Sequence, residues 1–189
     1  MAESAGSASG ALQRSEVLLT LEWAVDALNS FDEDQLREAL QKCSGSLAWC
    51  EQMTRQRPFS DAEDLKEKSD RAWERLSEQD WLEAFRSHPK IGDVESLRRK
   101  FASTAAWASA EQASVYAASE ETLKSLTESN ARYEQGFGHI FIVFAPGKTA
   151  DEMLSILNRR LSNSRDVEFS ICSAEHKKIT LFRIEKLHL

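Results

Sequence analysis

The amino-acid sequence predicts an all-α fold, a single-domain helical bundle of about seven to nine helices. Apolar residues recur at spacings of three and four along most of the chain, which is the period of amphipathic helices. The chain has only 7 Gly and 3 Pro in 189 residues, so sharp turns are few and long elements are favoured over many short strands. This length is enough for one well-buried core and short for two ordinary domains.

The N-terminal half divides into helices at recognisable stop signals. Residues 1–14 are rich in Ser, Gly and Ala and lack apolar periodicity. They predict a disordered leader before a helical domain over residues 15–189. The first predicted helix ends at Phe31-Asp32-Glu33, the second ends at Ser44-Gly45, and a third covers residues 47–53.

Capping patterns predict where later helices begin. Ser60-Asp61-Ala62-Glu63 has the spacing of a capping box and predicts a helix start. Ser77 or Asp80 begins the next helix. Ser109-Ala110-Glu111-Gln112 repeats the capping-box spacing and predicts a long helix that Gly136 ends.

Residues 140–144, Ile140-Phe141-Ile142-Val143-Phe144, form the one β-like stretch and are called the apolar segment below. A single strand has no partner in an otherwise helical chain. We therefore expect a buried extended segment or a helix end at this point. Two amphipathic helices follow, over residues 150–161 and about 167–187.

Charge and composition exclude several classes of function. A net charge of −7 argues against a nucleic-acid partner, because phosphate binding needs a basic surface. No apolar run approaches the roughly 20 residues of a membrane span, and no basic start followed by an apolar stretch suggests a signal peptide. Three widely spaced cysteines suggest reduced, buried thiols of an intracellular protein. We expect a cytoplasmic location. A peroxisomal one stays open for a eukaryotic source, although the chain ends in His188-Leu189 rather than Ser-Lys-Leu.

The densest polar motif is Ser87-His88-Pro89-Lys90-Ile91-Gly92-Asp93. His88 stands where a helix stops before Pro89, and an imidazole held at such a turn can face a cleft. Its ordinary pKa of about 6.5 suits proton transfer near neutral pH. Taken alone, His88 is better explained as a histidine that stabilises a helix C-terminus. The full motif is more specific than that.

Glu111 and Gln112 have a structural and a functional interpretation. On spacing alone we favour the structural one, because Ser109 with Gln112 makes a good N-terminal cap. A helix N-terminus also presents free backbone N–H groups that suit an anionic ligand. A carboxylate beside them could orient a histidine or accept a proton.

The remaining histidines do not predict a metal site. Gly136-Phe137-Gly138-His139 lacks the third glycine of a phosphate loop and is a weak signal. His88, His139 and His176 do not have the spacing of metal ligands. Glu175-His176 is expected on a solvated helix face, because charged residues surround it.

Among the C-terminal arginines, Arg183 is the candidate for a functional cation. Arg159 and Arg160 are expected to be surface residues or charges at a helix C-terminus. Arg183 lies between Phe182 and Ile184, close to an apolar stripe. A guanidinium there needs an anionic partner or a route to solvent.

Taken together, these motifs resemble the OHCU (2-oxo-4-hydroxy-4-carboxy-5-ureidoimidazoline) decarboxylase family in order and spacing. The similarity covers roughly residues 18–187, and the His-Pro-Lys-Ile-Gly element is its most specific part. The matching residues are Trp81-Leu82-Glu83-Ala84-Phe85, Ser87-His88-Pro89-Lys90-Ile91-Gly92-Asp93, Glu111-Gln112, Asn130, Tyr133, Phe137-Gly138-His139-Ile140-Phe141-Ile142-Val143, Arg160-Leu161-Ser162-Asn163, Glu175, Lys178-Ile179 and Leu181-Phe182-Arg183-Ile184.

The resemblance implies a helical enzyme, commonly a homodimer, that converts OHCU to (S)-allantoin with release of carbon dioxide. It implies a reaction without a metal or organic cofactor. By motif position the catalytic residues are His88, Glu111 and Arg183. The residues matching substrate-binding positions are Pro89, Ala108, Ser109, Ala110, Gln112, His139, Ile140, Phe141, Ile142 and Val143.

The chain departs from the family pattern in two places. Family members often have Ser three residues before the glutamate, where this chain has Ala108, and Ser109 is the candidate to replace it. His139 and Ile140 stand where a Phe-Pro or Phe-Ile pair is usual.

From the residues alone, two other functions stay open. The chief rival is a non-catalytic helical protein-interaction module, in which His88 and Arg183 are ordinary capping and surface residues. A metal-dependent hydrolase is a more distant alternative.

Overall fold

The computed structural model describes residues 19–90 and 119–187. Within these ranges the chain forms helices and no strand, which confirms the all-α class. No helix among them is long and apolar enough to span a membrane. The helices are α1 (residues 19–30), α2 (Glu33–Ser44), α3 (Leu47–Arg55), α4 (Ala62–Glu74), α5 (Glu78–Arg86), α6 (Glu120–Phe137), α7 (Ala150–Arg160) and α8 (Arg165–Glu185).

The chain divides into two compact units. The first comprises Met1–Leu76 with Thr180–Leu189, and the second is Ser77–Ile179. The predicted leader over residues 1–14 lies outside the described residues, so its disorder stays a prediction.

The first unit is built on α1 to α4 and the C-terminal end of α8. α2 packs on α3, and α3 packs on α4. Leu36, Leu40, Trp49 and Met53 are fully buried along these contacts. The Trp49 indole Nε1 donates to the carbonyl oxygen of Ser69 at 3.3 Å, so this large ring is buried without losing its hydrogen bond.

The second unit contains α5, α6, α7 and most of α8, with α6 packed on α7. Its core is aromatic and aliphatic, and it includes the apolar segment. The buried members are Phe85, Leu126, Tyr133, Phe137, Phe141, Ile142, Val143, Ala145, Ala150, Met153, Leu157, Cys172 and Ile179.

Several predicted helix ends are confirmed. Asp32 and Gln35 form a reciprocal capping box at the start of α2, and Gly45 closes that helix with φ of 77°. Only glycine adopts this left-handed conformation without steric cost. Ser77, rather than Asp80, caps α5.

Three predicted ends are wrong. α4 is capped by Asp61, whose carboxylate accepts from the Asp64 N–H at 2.8 Å, and not by Ser60. A continuous helix from Ser109 is excluded, because Ser119 has an extended backbone and caps α6. α6 runs through Gly136 to Phe137 and ends at Gly138, whose φ is 78°.

The apolar segment belongs to no helix or strand. Phe141, Ile142 and Val143 are buried, and the flanking Ile140 and Phe144 are half-buried. Of the two expected alternatives, a buried extended segment or a helix end, the structure excludes the helix end and agrees with a buried segment.

Candidate active site

His88 is held at the C-terminal end of α5. The helix ends at Arg86, and the His88 N–H donates to the carbonyl oxygen of Phe85 at 3.1 Å. His88 is only 8% exposed, and Pro89 beside it is buried. The turn before Pro89 therefore holds the imidazole, as the motif predicts, and the structure adds that the residue is nearly withdrawn from solvent.

A second histidine lies directly against His88. The rings of His88 and His176 meet edge to face, with their centroids 4.8 Å apart. His176 is fully buried and its ring also contacts Phe85 at 5.8 Å. The expectation that His176 lies on a solvated face is wrong.

The reason for that error is the composition of the buried face of α8. This face carries Glu168, Cys172, His176 and Arg183, and each of them is at most 3% exposed. Their spacings of four, four and seven follow the helical period. Because three of them are polar, a search for apolar periodicity cannot find this face.

His139 lies in an aromatic cage. Its ring centroid is 5.4 Å from that of Phe85, 5.7 Å from that of Tyr133 and 5.8 Å from that of Phe169. Burial lowers its pKa, so the imidazole is neutral near pH 7. Nδ1 lies 3.0 Å from the carbonyl oxygen of Ile140. A carbonyl can only accept, so Nδ1 carries the proton.

Phe85 connects the His88–His176 pair with His139. Its ring contacts His139 on one side and His176, the neighbour of His88, on the other. The second unit therefore brings His88 and Pro89 into the same region as the predicted substrate-binding residues of the apolar segment.

Side chains bind the backbone of the apolar segment in place of a partner strand. The carbonyl oxygen of Ile142 accepts from Nη1 of Arg160 at 2.8 Å. The N–H of Phe144 donates to Oε2 of Glu175 at 2.7 Å, and its carbonyl oxygen accepts from Nζ of Lys148 at 2.7 Å. Buried backbone groups need such partners.

Arg160 lies in the last turn of α7, as one of its two expected placements has it, but it is buried and not on the surface. It is 7% exposed and lies with its guanidinium carbon 4.6 Å from the Phe141 ring centroid. Nε donates to Oε1 of Glu168 at 2.7 Å, and Nη2 lies 2.5 Å from the same oxygen. Nη2 also lies 3.1 Å from Sγ of Cys172. Arg159, its neighbour, is exposed as expected and donates to Ser155.

The carboxylate of Glu168 is the centre of this network. Besides Arg160, it accepts from the Tyr133 hydroxyl and from Nδ2 of Asn163, the latter at 2.7 Å. Burial acts to raise the pKa of Glu168, but the hydrogen bonds from Arg160, Tyr133 and Asn163 outweigh it and lower that pKa. Glu168 is therefore ionised, and its charge neutralises that of Arg160.

Arg183 belongs to the first unit. It is 3% exposed, and its Nη1 lies 3.5 Å from the carbonyl oxygen of Cys43. Thr180 and Ile184 are also buried, whereas Phe182 is half-buried. Arg183 therefore lies within the buried stripe of α8 rather than beside it.

Five predicted site residues, Ala108, Ser109, Ala110, Glu111 and Gln112, lie outside the described residues. Within residues 19–90 and 119–187, no three His, Cys, Asp or Glu side chains are grouped as metal ligands would be. A groove of about 330 Å³ between α5 and α8 is lined by Trp81, Phe169 and five other residues, none of them a predicted site residue.

Comparison with known proteins identifies the family. The family model for OHCU decarboxylase matches residues 29–185. A crystal structure of OHCU decarboxylase in the presence of (S)-allantoin superposes with a TM-score of 0.64 at 33% identity, covering 78% of this chain and 95% of that one. A crystal structure of (S)-allantoin synthase, at 17% identity and a TM-score of 0.63, covering 85% of this chain and 52% of that one, shares the fold.

Two relatives agree with this assignment. The uric acid degradation bifunctional protein TTL of Arabidopsis thaliana is 36% identical over 148 residues, which are 77% of this chain and 45% of that protein. This chain thus spans less than half of the plant protein's length. The 2-oxo-4-hydroxy-4-carboxy-5-ureidoimidazoline decarboxylase of Haloferax volcanii is 29% identical over 86% of this chain and 95% of its own length. The chain belongs to the OHCU decarboxylase family.

Proposed function

We propose that this chain is a carboxy-lyase that decarboxylates OHCU to (S)-allantoin in the degradation of urate. The observation that carries the proposal is the family match over residues 29–185, which includes the buried His88-Pro89 pair at the end of α5. The described surroundings of His88 suit the proposal, because a withdrawn imidazole can exchange a proton with a bound substrate while bulk water is excluded.

The reaction breaks one carbon–carbon bond and forms one carbon–hydrogen bond. Carbon dioxide leaves without the bonding electron pair, which stays on the substrate carbon and is delocalised into the conjugated ring. A stereospecific proton then quenches it. Because the ring itself accepts the electron pair, the chemistry requires no pyridoxal or thiamine group.

In this proposal His88 is the proton-transfer group, beginning at the substrate hydroxyl. Glu111 orients His88 and the ureido group. Gln112, with backbone N–H groups near Ile142 and Val143, binds carbonyl oxygens where charge accumulates. Arg183 supplies the cation that an acidic chain needs to hold an anionic substrate.

The test is turnover of freshly generated OHCU, followed by the circular dichroism of the allantoin formed. We expect a signal of one sign that grows with enzyme concentration and is unchanged by chelators. Absence of turnover in well-folded protein would favour the non-catalytic interaction module. Inhibition by chelators would favour a metal-dependent reaction instead.

We also propose a homodimer in the cytoplasm. The dimer rests on the family resemblance. The location rests on the three cysteines, which are buried and form no disulfide within the described residues, as in proteins of a reducing compartment. Light scattering is expected to give twice the chain mass of 21.3 kDa, and cell fractionation tests the location.

A further inference from the structure

The apolar segment is held in place by the Arg160–Glu168 ion pair. One edge of the Arg160 guanidinium, Nε and Nη2, binds Oε1 of Glu168. The remaining nitrogen, Nη1, donates to the carbonyl oxygen of Ile142 at 2.8 Å. A single planar group thus joins the segment to the first turn of α8.

The orientation of that guanidinium is itself fixed from several sides. Its face lies over the Phe141 ring at 4.6 Å, and the carboxylate that binds it is fully buried. The Tyr133 hydroxyl donates to the same Oε1 of Glu168, and Nδ2 of Asn163 donates to Oε2. Rotation of the Glu168 carboxylate would break these bonds, so they hold the Arg160 guanidinium in the observed orientation.

The charge of Arg160 is neutralised by Glu168, so Arg160 does not offer a free cation to a substrate. Arg160 instead acts by position, because it fixes where the backbone of residues 141–142 lies. Glu175 acts at the other end of the segment, where it accepts from the Phe144 N–H at 2.7 Å.

We propose that Arg160 is a positioning residue for the substrate-binding wall formed by the apolar segment, with Glu175 as a second anchor. This inference rests on the proposed function, because it takes residues 140–143 as the part of the pocket that binds carbonyl oxygens of OHCU. Neither side chain touches the substrate.

The test compares Arg160→Lys with Arg159→Lys in the full chain. Lysine keeps a charge for Glu168 but cannot bind the carboxylate and the Ile142 carbonyl at once with the planar geometry of arginine. We expect Arg160→Lys to raise KM and to lower kcat/KM by about 10-fold or more, since a displacement of about 1 Å can cost on the order of 10²-fold. Arg159→Lys, on the exposed neighbour, is expected to match the wild type.

KM and hydrogen exchange together distinguish a positioning role of Arg160 from a contribution to the stability of the whole fold. A purely structural role would reduce the folded fraction and lower the apparent kcat in proportion, with KM unchanged. Hydrogen exchange, followed by mass spectrometry, gives a measurement that needs no activity. Arg160→Lys is expected to accelerate exchange in the peptide covering residues 139–145 and not in peptides of α2 and α3.

A second pair of variants covers the case in which Arg160→Lys does not fold. Glu175→Ala removes the acceptor for the Phe144 N–H, whereas Glu175→Gln keeps an acceptor oxygen. We expect Glu175→Ala to raise KM and speed exchange in the same peptide, and Glu175→Gln to restore both.

Unchanged KM and unchanged exchange at residues 139–145 in folded Arg160→Lys and Glu175→Ala proteins would overturn the inference. Accelerated exchange throughout the chain would also overturn it, because the pair would then support global stability only. If the wild type does not turn over OHCU, the proposed function fails, and the exchange data still decide whether these residues hold the segment.

Discussion

At the scale of single residues, the arrangement around His88 makes a clear prediction about catalysis. His88→Asn keeps a similar size and a polar side chain but removes the titratable ring. We expect turnover to fall by roughly 10²-fold or more, the scale of general acid–base catalysis. Steady-state kinetics with OHCU measures the loss, and far-UV circular dichroism checks that the helices are retained. Near-normal turnover in folded protein would remove His88 from the mechanism.

Arg183 carries the second prediction at this scale. Arg183 is buried, so solvent screens its charge only weakly. Its planar guanidinium can bind two oxygens at once. A cation that held only the leaving carboxylate would stabilise the ground state, so we expect contact with ring or ureido oxygens as well. Arg183→Lys is therefore expected to reduce both turnover and affinity, whereas Arg159→Lys changes neither. Equal, small effects of the two substitutions would contradict a substrate-binding role for Arg183.

At the scale of one element, the two glycines at the end of α6 predict opposite changes in stability. Gly136 lies within the helix, and a methyl group there would meet nothing within 4 Å. Gly136→Ala is thus expected to raise the free energy of unfolding by roughly 0.5 kcal/mol. Gly138 has φ of 78°, so Gly138→Ala is expected to lower it by about 1 kcal/mol. Denaturant titrations of both variants give the comparison, and equal signs would contradict the assigned helix end.

These glycines also show how far helix ends can be predicted from sequence. A cap depends on residues within one turn, so Gly45 at the end of α2 was predicted from the local pattern, and Ser77 was one of two predicted starts of α5. Either Gly136 or Gly138 could end α6 as judged from the sequence pattern. Only the folded backbone shows which of them adopts the left-handed conformation. Ser109 and Ser119 raise the same difficulty for the start of α6, because both precede residues that suit a first turn.

At the scale of the whole molecule, the buried titratable groups predict loss of stability in acid. Burial lowers the pKa of His139. Despite burial, hydrogen bonds from Arg160, Tyr133 and Asn163 lower that of Glu168. Both groups bind protons more readily in the unfolded chain, so stability falls as pH falls. The free energy of unfolding is expected to decrease below about pH 6.5 as His139 contributes, and further below about pH 4.3 as Glu168 does.

The control for this prediction is His139→Phe, which keeps a ring among Phe85, Tyr133 and Phe169 but cannot titrate. Its stability is expected to vary less between pH 7 and pH 5 than that of the wild type. Urea unfolding at several pH values measures the slope. The same slope in both proteins would show that other groups cause the acid sensitivity.

The polar interior of the second unit is the part that sequence patterns did not predict. Arg160 binds Glu168, which also accepts from Tyr133. The His176 ring contacts Phe85 and His88. A buried helix face is predicted from the spacing of its apolar residues. Charged residues on such a face are therefore wrongly assigned to the surface. The family resemblance assigned roles at the site to His88 and the apolar segment, but it gave no such role to Arg160 or Glu175, which fix that segment.

The anchoring of the apolar segment also bears on solubility. Five consecutive β-prone apolar residues are the type of sequence that pairs with copies of itself once its backbone is free. Here the Ile142 carbonyl and both backbone groups of Phe144 are already occupied by side chains, so the segment offers no open edge at those positions. We therefore expect variants at Arg160 or Glu175 to aggregate more than the wild type during expression or heating. The protein that stays soluble is expected to keep its helices.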